Sequence, residues 1–429
     1  MTEKAKTIYI KKERAEQIIR NRHPWIFSGA VLKIPSEDIE PGEIVKVASD
    51  DGGTIIGCAA FNPLSEIRLR MITWQNGDTA FKVADKNYFE NLFLATARRK
   101  EKLLQFIKND HSLADKNYRL IHGESDGIPG LIVDRYGEVF VIQCQTAFAQ
   151  KYLTWWVDII KNLFKPAAIY DKSDTCPNPR RQEGLKSFSA NGRILSGALP
   201  PENFEILDED GFRIKIDIPG GQKTGYYLDL RNARRTLEKY ISLANSKKVL
   251  NLFGYTGSFN LYAARGGATH ILQIDSSESA CALALENARL NKIPDGNITV
   301  KTGDVFEYLD NLKDSHPDET FDCIILDPPS LARTAKDKRA ALEALTHLNA
   351  IALDHLNNGG LLFTFSCSSH IREEDFSRMI FLATRRGNSA KHSRYILLEK
   401  MYQGIDHTVI PEFQEGRYLE GMVIQKFQI

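Results

Sequence analysis

Three residues in the second half of the chain carry side chains suited to chemistry and stand where apolar stretches end. They are Asp275, Asp327 and Cys367. A carboxylate can accept a hydrogen bond or a proton, and a cysteine thiolate can attack an electron-poor carbon. The alternative for Cys367 is a buried small apolar residue, the usual environment of a free cysteine. Whether Cys367 is a nucleophile or a core residue depends on the strands and helices that position these three side chains.

The segment Lys248–Gly267 has the pattern of an apolar strand, a Gly-x-x-Gly turn and a helix that begins near Ser258. Gly254 and Gly257 allow a ligand to approach the backbone closely, and the helix start directs free N–H groups at it. Such a turn is a weak signal alone, because ordinary strand-to-helix turns also contain two glycines. We therefore place a ligand pocket here only in combination with the regular strands downstream of the turn.

Alternating strands and helices come after this turn. Apolar stretches ending at Asp275, before Gly303, at Asp327 and before Ser366 are separated by helix-like segments such as Ser277–Leu290. This pattern predicts an α/β fold with a parallel, doubly wound sheet, in which ligands bind beyond the carboxyl ends of the strands. Asp275 lies 21 residues after Gly254, a spacing that suits an acidic side chain bound to a ribose.

Length and composition predict a soluble protein of two or three domains. The chain has 429 residues, a formal net charge of +1 and six cysteines without a C-x-x-C pair. The charge neither requires nor excludes nucleic acid, and the cysteines favour reduced thiols without a zinc ribbon. No apolar run has membrane-spanning length and no signal peptide is recognisable, so we expect a cytoplasmic protein. Because the cysteines show no metal-binding spacing, we expect no bound metal.

Pattern changes along the chain divide it into residues 1–76, 77–200 and 201–429. The first part is rich in short β patterns, the second alternates turns, strands and helices, and the third holds the α/β repeat. Arg22 and Trp25 lie in a basic, aromatic stretch of the first part that would suit RNA by phosphate contact and stacking. An equally good interpretation places Trp25 in the core of a small barrel.

Two later stretches are strongly basic. One comes directly after Asp327–Pro329, and the other contains no acidic residue between its members, which are Arg378, Arg385, Arg386, Lys391 and Arg394. Phosphate binding and a solvated helix face explain such runs about equally well.

Several strings resemble the motifs of the bacterial 23S ribosomal RNA cytosine-5 methyltransferases. They are Asn251–Gly257, Gln222–Arg231, Asp327–Pro329 and Phe365–Ser368, and shorter similarities extend over nearly the whole chain, from Arg22–Gly29 to Glu415–Leu419. The resemblance implies an amino-terminal PUA domain, a middle α+β domain and a Rossmann-like class I methyltransferase domain that uses S-adenosylmethionine. It also implies ribosomal RNA as partner and a possible homodimer.

The resemblance further implies a set of cofactor-binding residues, in which Asp275 would bind the ribose and Asp304 the adenine amino group. The full set is Phe253, Gly254, Tyr255, Thr256, Gly257, Asp275, Ser276, Asp304, Val305 and Asp327, with Tyr226, Tyr227 and Asp229 in a loop over the cofactor.

Substrate contacts are implied for a second set, comprising Pro328, Pro329, Lys223, Arg231, Arg22 and Trp25. Two positions depart from the family pattern. Ser330 comes after the double proline where some relatives have lysine, and Ser369-His370 comes after the cysteine motif where glycine is common. We therefore expect the contacts to the target nucleotide to differ from those of these relatives.

The implied catalytic residues are Cys367 and Asp327. Carbon 5 of cytosine is a poor nucleophile, and a thiolate that adds to carbon 6 makes carbon 5 reactive towards a sulfonium methyl group. Asp327 would hold the amino group and nitrogen 3 of the base, and a helix start near Glu373 would favour the thiolate. A target base in folded RNA would have to be unstacked. The base that removes the carbon 5 proton is unassigned.

Two other function classes remain open from the sequence. Asp327–Pro329 would also suit methylation of guanine or an exocyclic amino group, with Cys367 idle. A nucleotide-binding dehydrogenase or a non-catalytic RNA-binding protein is the third class, although the chain lacks a G-x-G-x-x-G string, which disfavours the dehydrogenase.

Overall fold

The computed structural model describes residues 6–33, 38–51, 53–75, 82–107, 116–175, 177–185, 192–198, 204–332, 334–387 and 392–428. These residues form two compact units. The first comprises Met1–Glu202, Asp217–Tyr226 and Ile405–Gly416, and the second comprises Asn203–Ile216, Tyr227–Gly404 and Arg417–Ile429. The predicted boundaries at 76/77 and 200/201 lie outside the described residues and stay predictions.

The first unit is built from short strands and a few helices. Its elements are β1 (Thr7–Ile10), α1 (Lys12–Asn21), β2 (Trp25–Phe27), β3 (Val31–Lys33), β4 (Ile44–Ser49), β5 (Ile55–Phe61), β6 (Ile67–Trp74), α2 (Lys86–Ile107), β7 (Asn117–His122), β8 (Leu131–Tyr136), β9 (Val139–Cys144), α3 (Ala147–Lys151), α4 (Leu153–Phe164), β10 (Ala168–Asp171), α5 (Pro177–Gln182) and β11 (Arg193–Gly197).

Two sheets form within the described part of this unit. The first has six strands in the order β2-β6-β5-β4-β1-β3, and the second has five in the order β11-β10-β9-β8-β7. The predicted β-rich first part is therefore confirmed, although the sequence analysis missed α1, which has Arg20 in its last turn and Arg22 directly after its end. The second sheet is buried because α2 and α4 pack on it through large apolar side chains such as Phe89 and Trp156.

A segment from near the carboxyl terminus completes the first unit. Asp406 is fully buried, and its carboxylate accepts a hydrogen bond from the backbone N–H of Arg119 (2.9 Å). The ring of His407 lies 5.5 Å from that of His122, and burial, followed by the Arg119 charge, lowers the pKa of His122 well below its usual value. These contacts tie residues 405–416 to β7.

The second unit alternates strands and helices. Its elements are β12 (Glu205–Leu207), β13 (Arg213–Lys215), α6 (Arg231–Ala244), β14 (Lys248–Leu252), α7 (Ser258–Arg265), β15 (His270–Asp275), α8 (Glu278–Leu290), β16 (Ile298–Thr302), α9 (Val305–Ser315), β17 (Phe321–Leu326), α10 (Lys338–Asp354), β18 (Leu356–Cys367), α11 (Glu373–Arg386), β19 (Ser393–Met401) and β20 (Leu419–Gln428).

The described residues of this unit form a seven-stranded sheet in the order β16-β15-β14-β17-β18-β20-β19. The predicted parallel sheet is confirmed for the five strands of the βα repeat, β14 to β18, and two further strands extend it at one edge. Neighbouring strands among β14, β15, β16, β17 and β18 all pair in parallel, whereas β20 pairs antiparallel to both β18 and β19. The sequence analysis missed β19 and β20 because they belong to no βα repeat. Strands β12 and β13 pair antiparallel as a separate hairpin.

Lys426 helps to hold β20 in place. Its side chain is buried, and its ammonium group donates to the backbone carbonyls of Leu353, Asp354 and Leu356 at 2.9–3.1 Å. The carbonyls of Leu353 and Asp354 lie at the end of α10, where a helix leaves its last acceptors without partners and favours a cation, and Leu356 begins β18. The contact therefore joins α10 to the antiparallel edge of the sheet.

Candidate active site

The glycine turn is a loop with unusual backbone conformations at the carboxyl end of β14. Phe253, Tyr255 and Gly257 have φ angles of 59°, 46° and 76°. A Cβ atom added to Gly257 would lie 2.8 Å from the Cβ of Ala284, and one added to Gly254 would lie 2.5 Å from the side chain of Gln273. Because L residues with side chains rarely adopt positive φ, the loop stores strain of the kind found at ligand sites.

A chain of buried amides supports this loop from behind. Asn251 donates to Asn260 (2.8 Å), Asn260 donates to Gln273 (2.6 Å), and Gln273 donates to the carbonyl of Tyr255 (2.8 Å). Asn287 donates to the carbonyl of Thr256 (3.0 Å). These bonds fix two loop carbonyls on the side of the sheet core and so offset the backbone strain.

Asp275 ends the neighbouring strand β15 and is bonded to the same loop. One carboxylate oxygen accepts from the backbone N–H of Tyr255 and the other from that of Ser277, both at 2.8 Å. Each oxygen has a second lone pair, so the carboxylate can still accept from a ribose. Ser276 lies exposed beside it.

Asp304 caps the first turn of α9. Its carboxylate accepts from the backbone N–H groups of Phe306 (2.7 Å) and Glu307 (3.1 Å), while its side chain is exposed. Val305, which the resemblance placed among the cofactor contacts, is buried in the apolar core of the unit. An adenine contact by Asp304 is compatible with the capping role.

Cys367 and Asp327 come together at the ends of adjacent parallel strands. The Cys367 Sγ atom lies 3.9 Å from Asp327 Oδ1, in a geometry that lets the thiol donate to the carboxylate. Both residues are partly exposed, Pro328 is buried and Pro329 is exposed. The fold thus joins two side chains 40 positions apart into one site.

Tyr227 lies beside this pair. Its ring contacts that of Tyr255 edge to face, with centroids 5.3 Å apart. Burial raises the pKa of Tyr227 well above its usual value, and the nearby Asp327 and Cys367 raise it further. Tyr227 therefore lines the site as an uncharged phenol at physiological pH.

The predicted helix start near Glu373 is confirmed, but its charge differs from the expectation. The first turn of α11 contains Glu373, Glu374 and Asp375. Hydrogen bonds from Lys400 and Arg417 lower the pKa of Glu373 to about 2, so this carboxylate is ionised. Glu373 and Asp375 are each paired with a cation, and the carboxylate that the structure places against the Cys367 thiol is that of Asp327.

Asp229 is buried and bonded to a residue that the sequence analysis did not select. Tyr418 donates its hydroxyl to the Asp229 carboxylate (2.6 Å), and the backbone N–H of Gly404 donates to the Asp229 carbonyl (2.8 Å). Tyr418 directly precedes β20, which pairs Leu419 with Cys367. The Glu415–Leu419 string was the available signal for Tyr418.

The other predicted contacts are distributed over both units. Lys223 and Tyr226 belong to the first unit, where the backbone N–H of Tyr226 donates to the Tyr136 hydroxyl (3.3 Å). Arg231 begins α6 in the second unit and is 1% exposed. A macromolecular substrate cannot contact such a side chain, so the predicted substrate contact by Arg231 is not open in this conformation.

Trp25 is half-buried in the first unit. Its indole N–H donates to Glu124 (2.7 Å), the Arg70 guanidinium lies 5.1 Å from its ring centroid, and the Phe413 ring lies 4.9 Å away. Glu124 and Phe413 lie outside residues 1–76, so this side chain is held by neighbours beyond the small barrel and is not part of the barrel core. Arg22 is exposed at the end of α1.

Comparisons with known proteins match two parts of the chain to family models. A PUA-like domain model matches residues 8–74, and an S-adenosylmethionine-dependent methyltransferase model matches residues 184–361. Ribosomal RNA large subunit methyltransferase I of Tolumonas auensis is 34% identical over 98% of this chain and 99% of its own length. The chain belongs to the ribosomal RNA large subunit methyltransferase I family. The enzyme of that name from Cronobacter sakazakii is 35% identical over 96% of this chain and 98% of its own length.

Solved structures agree on the fold. SMU.776, complexed with SAH, has a TM-score of 0.78 at 22% identity and covers 98% of this chain and 99% of its own. The methyltransferase I family assignment confirms the predicted PUA-like and class I methyltransferase folds and the dependence on S-adenosylmethionine. Among the described residues, no helix is long and apolar enough to span a membrane.

Proposed function

We propose that this protein is an S-adenosylmethionine-dependent methyltransferase that forms 5-methylcytosine in large-subunit ribosomal RNA through a covalent bond between Cys367 and the target base. The observation that carries the proposal is the 3.9 Å separation of Cys367 Sγ and Asp327 Oδ1 at the end of the sheet. A carboxylate that accepts from a thiol can take its proton as the sulfur attacks, which is one way to activate a nucleophile.

The glycine loop suits the cofactor. Gly254 and Gly257 bring the loop backbone close to Gln273 and Ala284, where no side chain would fit, and the Asp275 carboxylate accepts from the backbone N–H of Tyr255 in the same loop. When bound there, S-adenosylmethionine supplies a methyl group on a positively charged sulfur. The residues that would hold it are Phe253–Gly257, Asp275 and Tyr227, and Asp304 would contact the adenine.

Cys367 performs the nucleophilic step. Its thiolate adds to carbon 6 of cytosine, and the electrons of the 5,6 double bond move to carbon 5, which then accepts the methyl group. Loss of the carbon 5 proton restores the double bond and expels the thiolate. The release base remains unassigned, and the described residues include no second cysteine beside Asp327.

Asp327 has two tasks in succession. It first accepts the thiol proton from Cys367. It then holds the amino group and nitrogen 3 of the base, which keeps carbon 6 in line with the sulfur. Pro328 and Pro329 restrict the backbone beside it, because proline fixes φ.

Replacing Cys367 by serine tests the chemistry. An alcohol is scarcely ionised at neutral pH, so we expect Cys367→Ser to lose nearly all turnover while its affinity for S-adenosylhomocysteine stays within about twofold of wild type. The measurement is methyl transfer from labelled S-adenosylmethionine to unmodified ribosomal RNA, followed by digestion to nucleosides. Cys323→Ser, in the buried part of β17, controls for loss of a thiol elsewhere.

RNA that contains 5-fluorocytosine gives a second readout. Fluorine at carbon 5 cannot leave as a proton, so the wild-type enzyme should remain covalently attached and the Cys367→Ser variant should not. Methylated guanine or N4-methylcytosine as product, or full turnover by the serine variant, would replace this proposal with amino-group or guanine methylation.

The proposal extends to partners and location. Ribosomal RNA would be the macromolecular substrate, and the cytoplasm would be the place of action. A homodimer, which the family resemblance suggests, belongs to the same proposal and can be measured by sedimentation equilibrium.

A further inference from the structure

A groove of about 620 Å³ lies between α11 and the edge strand β19. Its floor is apolar and is formed by Met422 and Ile424 of β20. Its walls carry arginine, lysine, aromatic and hydroxyl side chains, and none of its lining residues is acidic. None of its lining residues belongs to the Cys367 site, so the groove requires a separate explanation.

Two of the cations in the groove are uncompensated. Arg385 and Arg394 are exposed and make no ion pair within the described part of the chain. Lys400, at the other end, pairs with Glu373 (2.6 Å). Arg385 and Arg394 belong to the basic run that the sequence analysis left undecided, and the fold brings them to one groove from a helix and a strand. Such a surface is complementary to phosphate groups.

Aromatic side chains accompany these cations. Phe381 is 57% exposed, and the Arg385 guanidinium lies 5.7 Å from its ring centroid. Tyr395 lines the opposite wall. Exposed aromatic rings beside arginines are the usual platform on which unpaired bases stack.

The groove begins near the Cys367 end of the sheet. Cys367 pairs with Leu419, and Met401 at the end of β19 pairs with Gly421, two residues further along β20. With strands about 4.8 Å apart, the Cys367 and Met401 Cα atoms are separated by roughly 12 Å. From Ser377 to Arg385 the groove follows α11 for about 12 Å. An RNA strand that leaves the Cys367 site at this end of the sheet therefore has a direct path into the groove.

The free edge of β19 is poorly suited to pairing with a second copy. Its pairing with β20 has an irregularity between Leu397 and Glu399, and Arg394 and Lys400 lie along it. Bulges and cations on an edge strand both oppose edge-to-edge pairing.

We propose that the groove between α11 and β19 binds a single-stranded segment of the RNA substrate, with phosphates on Arg385 and Arg394 and a base stacked on Phe381. The proposal rests on the proposed function for its partner, but it concerns binding and does not depend on which base is methylated.

The test compares full-length variants in binding a fluorescein-labelled 12-nucleotide single-stranded cytidine RNA by fluorescence anisotropy. In the double variant Arg385→Ala, Arg394→Ala, the negative slope of log K against log salt should become less steep by about 1.4, because each phosphate on a single strand that is no longer neutralised accounts for about 0.7. Phe381→Ala should weaken binding roughly 5- to 150-fold.

Matched controls lie on the same helix. Arg386 pairs with Glu343 (2.6 Å) and is not part of the groove, so Arg386→Ala should leave the salt slope nearly unchanged. Leu382 is 41% exposed next to Phe381 but does not line the groove, so Leu382→Ala is the control for Phe381→Ala. Affinity for S-adenosylhomocysteine should be that of wild type in every variant.

Two outcomes would overturn the proposal. Equal salt slopes in the double variant and Arg386→Ala would show that no phosphate binds here. Conversion of a dimer to a monomer by Phe381→Ala, with RNA affinity unchanged, would assign the groove to a second copy. A product other than 5-methylcytosine would overturn the proposed function and leave the binding comparison unaffected.

Discussion

Gly257 has a φ of 76° where the cofactor loop enters α7, and the space beside it is closed by Ala284. A methyl group there would meet a conformational cost of about 1–2 kcal/mol and a contact of 2.8 Å. We expect Gly257→Ala to reduce the affinity for S-adenosylmethionine at least tenfold, as measured by calorimetry.

Gly303 is the matched control for this substitution. It precedes Asp304 in the same unit, and a Cβ added to it would meet nothing within 4 Å. Gly303→Ala should therefore bind the cofactor with nearly the wild-type affinity. Equal affinity losses in the two alanine variants would place the cofactor away from Gly257.

Buried charged side chains hold the hairpin β12–β13 against the rest of the second unit. Asp208 accepts from the Tyr262 hydroxyl (2.8 Å), and Glu209 pairs with Arg234 (2.8 Å). Burial, followed by the charge of Glu209, raises the pKa of Asp208 to about 6. Burial alone would raise the pKa of Glu209, but Arg234 and Arg231 lower it to about 2. The hairpin therefore has its own dependence on pH.

The sign of this dependence is set by proton binding. Because folded Asp208 holds its proton more tightly than the unfolded chain, its contribution is complete below about pH 4 and is lost as the pH rises through about 6. The free energy of unfolding of wild type, relative to Asp208→Asn, should fall between pH 4 and pH 7. Urea denaturation of both proteins at several pH values measures it, and parallel curves would contradict the shifted pKa.

At the scale of the whole molecule, RNA binding should involve the first unit as well as the second. Arg20 and Arg22 are exposed at the end of α1. Charge reversal at both positions should reduce the salt dependence of ribosomal RNA binding by an increment for each phosphate that the variant no longer neutralises. Filter binding at several salt concentrations measures the slope. An unchanged slope would assign this surface to structure or to another partner.

Deleting residues 1–76 would test RNA binding by the first unit less clearly than charge reversal at Arg20 and Arg22. Trp25 bonds to Glu124, and Asn62 donates to the carboxylate of Glu183 (2.8 Å). The deletion would expose these buried partners and destabilise the rest of the first unit. Charge reversal on exposed arginines leaves that core intact.

The sequence by itself determined the order of the βα elements and the strand ends at which Asp275, Asp327 and Cys367 stand. Local patterns are enough to predict these features, because an apolar run, the polar residues after it and the helix start that follows are close together in the sequence. The glycine turn was also readable, since positive φ and close packing both require residues without a side chain.

Only the tertiary structure decided how distant residues share a site. The 3.9 Å approach of Cys367 to Asp327, the amide chain behind Tyr255 and the burial of Arg231 depend on strand order and on packing between positions far apart in the chain. The same holds for the antiparallel edge formed by β19 and β20 and for the groove that it makes with α11. Burial and pairing at these positions are set by neighbours across the fold, which local periodicity does not encode.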